Sequence, residues 1–167
     1  MRRILPLLFV LTAIGGAVPS ARAQSEATRG LEKLKSLAGI WHGTGPDGST
    51  LAVSYEIASG GTALMETRVP SNEPEMITLF HLDGDALALT HYCSAGNQPR
   101  MQAEPTPHSA DEMNFAFVDV SNLTTPSAGH MRALRMVFQD DDHLTQVWTW
   151  REGGQDVEAT FHLERDK

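Results

Sequence analysis

The densest run of chemically able side chains is Thr90-His91-Tyr92-Cys93, followed after two residues by Gly96-Asn97-Gln98-Pro99-Arg100-Met101. A routine hairpin needs only Gly, Asn or Asp between its strands. Here the connection adds an amide pair and an arginine, flanked by an imidazole and a phenol. The guanidinium of Arg100 is a planar fork suited to a carboxylate or phosphate. Asn97 and Gln98 serve either the loop's own backbone or a ligand, since both roles use the same donors and acceptors. His91 stands at even intervals from Leu87 and Leu89, so on a strand it shares their apolar face. An imidazole there needs a partner, because an unpaired buried polar group costs about 1–3 kcal/mol.

Other strands supply possible partners. Glu66 lies two residues from Leu64, and His130 precedes Leu134, Met136 and Phe138 at even intervals, with Arg132 between them. A period of two turns Glu66, His91, His130 and Arg132 toward one interior, where Arg100 is expected to converge with them, with Tyr92, Asn97 and Gln98 beside it. Met113, Phe115, Phe117 and Met136 supply apolar walls. A polar floor under such walls suits a small apolar or amphipathic ligand with an acidic head. The same His91, His130 and Glu66 make an acid–base group for a small substrate. They also suffice to pair with one another in a structural or interaction module. The chain has no G-x-S-x-G, H-E-x-x-H or phosphate loop, and no short histidine spacing that marks a metal site. No metal is assigned. The single Cys93 excludes an intramolecular disulfide and, in an apolar-flanked strand, reads as a small hydrophobe.

The elements that must position these residues are mostly strands. Leu31, Leu34 and Leu37 have helical spacing, which predicts a short helix over 28–37 ended by Gly39. From there the period changes to two. Strands are expected over 40–45, 51–56, 63–69, 76–82, 86–93, 100–104, 113–120, 130–138, 143–151 and 156–164. Ser59-Gly60-Gly61, Asp83-Gly84-Asp85, Asp140-Asp141-Asp142 and Gly153-Gly154 punctuate them as tight turns. About ten evenly spaced strands predict an all-β, antiparallel up-and-down barrel with a short N-terminal helix. A two-sheet sandwich is the competing arrangement.

The first strand carries Gly39-Ile40-Trp41-His42-Gly43-Thr44-Gly45. Glycines around a tryptophan let the backbone bend while the indole plugs one barrel end. This segment resembles the opening of calycin-type barrels, the group of lipocalins, fatty-acid-binding proteins and nitrobindins. It looks closest to nitrobindin-like and related lipocalin-like bacterial proteins. The resemblance implies an interior that holds an apolar or amphipathic ligand, with Gly39, Trp41, Gly43 and Gly45 structural. In nitrobindins the ligand is haem, held by a histidine near the chain end, and His162 is the residue in that region. Its alternation with Val157, Ala159, Phe161 and Leu163 puts it beside Glu158 and Glu164 on the solvent face.

The beginning of the chain reads as an export signal over 1–23. Arg2 and Arg3 precede an apolar stretch from Ile4 to Val18, and Ala21-Arg22-Ala23 presents a small-residue cleavage pattern. The stretch is short for a bilayer span, which needs about 20 apolar residues, and no later segment qualifies. The mature protein is expected to start at Gln24, with 24–38 as leader and helix, 39–167 as barrel, and a periplasmic or extracellular destination. Without Arg2, Arg3 and Arg22, ten basic residues face 21 acidic ones, a formal charge of −11 in place of −8. Such acidity, with no basic run, disfavours nucleic acid and anionic membrane surfaces as partners.

Overall fold

The computed structural model describes residues 25–105 and 111–167. The signal expected over 1–23 and the start at Gln24 lie outside the described residues. Helix α1 runs Glu26–Lys35. It begins two residues earlier than the leucine spacing suggests because Ser25 caps it, its hydroxyl accepting from the Thr28 amide. Ten strands follow: β1 Gly39–Thr44, β2 Thr50–Ala58, β3 Ala63–Pro70, β4 Met76–Asp83, β5 Ala86–Tyr92, β6 Gln98–Ala103, β7 Glu112–Ser121, β8 His130–Phe138, β9 His143–Glu152 and β10 Gln155–Arg165.

Each strand pairs antiparallel with its neighbours in sequence, and β1 pairs with β10, so the sheet closes into a barrel. The hairpin geometry follows from the turn residues. Gly84, Gly153 and Gly154 all adopt positive φ, which the tight β4–β5 and β9–β10 turns require and a Cβ would resist. Closure leaves no free sheet edge, a sound arrangement for a chain with no disulfide to hold it.

One end of the barrel is stoppered. The apolar stripe of α1, Ala27, Leu31 and Leu34, joins the barrel core, and Gly30 lies against Leu87. Trp41 sits beneath it, fully buried, its indole N–H donating to the Leu37 carbonyl at 2.8 Å and its ring edge-on to Tyr55. The glycines of the first strand have steric reasons. Gly39 takes φ of 136°, and a Cβ on Gly43 would stand 2.0 Å from the His162 carbonyl oxygen. Among the described residues no helix is long and apolar enough to cross a membrane.

The other end is more open. The inward positions of β10 run from buried Leu163 through half-buried Phe161 and Ala159 to Val157, which is 63% exposed.

Candidate functional site

The strand register lays a row of polar side chains across the interior. Tyr55 on β2 is paired with Glu66 on β3, Glu66 with Thr78 on β4, and Thr78 with His91 on β5. All four are buried. The next row toward the helix is apolar: Leu64, Phe80, Leu89 and Met101. The next row toward the open end carries Val53, Arg68 and Met76. Gln146 and Trp148 on β9 complete the group from across the barrel.

Hydrogen bonds bind the row into one network. Tyr55 donates to Glu66 Oε2 at 2.7 Å, and Gln146 Nε2 donates to the same oxygen at 2.6 Å and to the Tyr55 hydroxyl at 2.8 Å. Burial first, then the neighbouring Glu66, holds the Tyr55 phenol well above its usual range, so it stays a donor. Gln146 Oε1 accepts from Arg68 Nη1 and from the Trp148 indole at 3.3 Å. Arg68 Nη1 is 3.8 Å from Glu66 Oε1, and the guanidinium lies over the rings of Phe161 and Trp148 at 4.5 and 5.8 Å. The Thr78 hydroxyl bridges Glu66 Oε1 at 3.4 Å and His91 Nδ1 at 2.9 Å. His91 Nε2 closes the chain with no hydrogen-bond partner. Its ring rests on Trp148 at 4.8 Å, and burial, with the Arg68 charge second, pushes it down to about 3.

Among the expected site residues, Glu66 and His91 are brought together inside. The others are not. Arg100 points outward, with 58% of its side chain exposed, and forms a bidentate pair with Asp119 on β7. Pro99, Met101 and Ala103 take the inward positions of β6, which leaves Arg100 the opposite face. Tyr92 follows His91 by one residue and is exposed for the same reason. His130 is buried, but a register shift in β8 between Met131 and Ala133 breaks the alternation that linked it to Leu134. It stacks on Phe117 at 5.2 Å and bonds the Ala128 carbonyl, while half-buried Arg132 lies over the same Phe117 ring. The expectation that Arg100, His130 and His91 face one space is therefore corrected.

The two amides shape the loop. Asn97 Nδ2 donates to the Gly129 carbonyl, and Gln98 bonds Gly96, Ser121 and Asn122. Asn97 also lines a polar cleft of about 400 Å³ with Thr125, Ser127 and Trp150. Sequence reasoning passed over Tyr55, Arg68, Thr78 and Gln146. For Arg68 a signal existed, since it follows Leu64 and Glu66 at a period of two.

Fold and site define a closed, ten-stranded antiparallel barrel with a charged polar row buried across its lumen. The solved structure of Rv2717c from M. tuberculosis is similar, with a TM-score of 0.54 and 18% identity over 86% of this chain and 99% of that one. At that identity the likeness speaks to the fold. No protein-family model and no curated protein sequence matches the chain.

The haem that the first-strand resemblance implies does not fit these residues. His162 is exposed on the outer face, its Nδ1 3.1 Å from the Thr145 hydroxyl. The inward positions of β10 are Val157, Ala159, Phe161 and Leu163, none an iron ligand.

Proposed function

We propose that the protein is an exported, calycin-like barrel that binds a small apolar or amphipathic molecule in its open half, in the periplasm or outside the cell. The observation that carries this reading is His91 Nε2, a buried polar atom with no partner at the end of an otherwise paired network. Evolving such a row at the floor of an opening barrel costs stability that an apolar core would not, and ligand contact accounts for its presence. An acid–base role for His91, His130 and Glu66 is disfavoured. His130 stands outside the cluster, and a group at about 3 is a poor base near neutrality.

Native mass spectrometry of protein purified from its own host, without detergent, tests the proposal. The expected result is a mass increment present under native conditions and lost on denaturation. An apo mass, with no thermal shift from apolar or amphipathic compounds, refutes it.

A further inference from the structure

Groups with no choice of role set the hydrogen-bond directions around Gln146 and Tyr55 in the interior row. Arg68 and the Trp148 indole only donate, and the Glu66 carboxylate only accepts. Gln146 must therefore turn its Oε1 to Arg68 and Trp148 and its Nε2 to Tyr55 and Glu66, the arrangement observed. Tyr55 accepts from Gln146, so its own proton goes to Glu66. The Thr78 hydroxyl, held between Glu66 Oε1 and His91 Nδ1, spends its one proton on the carboxylate. With that proton on the carboxylate, Thr78 accepts from His91 at 2.9 Å, an assignment that puts the imidazole proton on Nδ1 and leaves Nε2 a bare lone pair.

The neighbour of His91 across on β6 is Pro99, one residue beyond the Thr90–Arg100 pair, and it brings no donor. What Nε2 lacks is an incoming O–H or N–H. Charge points the same way. The Arg68 guanidinium is already beside Glu66 at 3.8 Å, so an anion added here would leave a buried net negative charge facing a lone pair. Among the described residues the only hydrogen bond from the Arg68 fork is from Nη1 to Gln146, so Nε and Nη2 are left to serve an acceptor. Arg68 and His91 both lie against Trp148, and Arg68 stacks on Phe161, the first inward residue of β10 that is only half-buried.

We propose that this site selects a neutral, hydroxyl-bearing head group, an alcohol or phenol on an apolar body, in preference to a carboxylate or phosphate. The hydroxyl donates to His91 Nε2, and its oxygen accepts from Arg68. The acidic head expected when Arg100 was placed inside gives way to a neutral one. This inference rests on the binding-barrel reading above.

Paired titrations with 1-octanol and octanoate at neutral pH test it, since the two share a tail and differ in the head. Octanol is expected to bind at least about tenfold tighter, a difference of about 1.4 kcal/mol. In His91→Phe the preference should fall to within about threefold, because phenylalanine offers the hydroxyl no acceptor. Nitrogen NMR of the unaltered protein gives a readout independent of that variant's folding: His91 should show a protonated Nδ1 and a bare Nε2 that shifts with octanol. Octanoate binding as tightly as octanol, or a proton on Nε2, overturns the inference and leaves the binding-barrel proposal standing. If neither probe binds, the inference fails, and the binding-barrel proposal is decided separately by the native mass.

Discussion

Acid stability should report directly on the burial of His91. An unfolded histidine titrates near 6.5, whereas the folded protein holds His91 at about 3. Above the unfolded value both states are neutral and the residue contributes nothing to pH dependence. Below it the unfolded chain takes up a proton that the native state refuses, so stability falls as pH drops from 6.5 toward 3. At about pH 4.5, two units below the unfolded pKa, the loss is about 2–3 kcal/mol. Other groups titrate over the same range, and the Arg68 charge acts on His91, so the comparison must be made against a variant. His91→Gln keeps a polar side chain and removes the titration. Urea unfolding of both proteins at neutral pH and at about pH 4.5 gives four free energies, and the parent should lose about 2–3 kcal/mol more than the variant. Parallel losses in the two proteins would refute the buried, neutral imidazole.

Trp41→Ala should cost about 3–5 kcal/mol in urea unfolding, since it empties a fully buried indole site under the helix; a melting point within a degree or so of the parent speaks against that placement. Glu66→Gln should cost about 3–5 kcal/mol because it strands the Arg68 charge, whereas Arg100→Ala, which breaks only a surface pair, should leave the urea midpoint nearly unchanged. Equal effects from the two would contradict their assigned faces. Gly43→Ala should destabilise by about 1–3 kcal/mol, because the new methyl meets a backbone oxygen that cannot yield; an unchanged urea midpoint would count against the β1–β10 pairing. Intact mass of exported material should correspond to a chain beginning at Gln24, and a retained Met1 would remove the export signal from the account.

Period-two alternation carries most of what the sequence by itself determined. It marks the strands, because every inward residue of a barrel must be apolar or partnered, and three of the four tight turns named from the sequence carry glycine. It also places Glu66 and His91 inside, through Leu64, Leu87 and Leu89. The same rule read along β6 puts Arg100 outside, opposite Pro99 and Met101. The error came from weighing the arginine's chemistry above its strand parity. His130 was beyond such reading, since the shift at Met131/Ala133 is a backbone event with no residue signature.

Tertiary structure alone decided which polar groups meet. Tyr55, Glu66, Thr78 and His91 stand in one row only because four adjacent hairpin strands pair in that register. Gln146 reaches Glu66 across 80 positions of chain only because β1 closes on β10 and brings β9 round to the far wall. Alternation is local and tells each side chain which face to take. The partner found on that face depends on strand register and barrel closure, which are properties of the whole sheet.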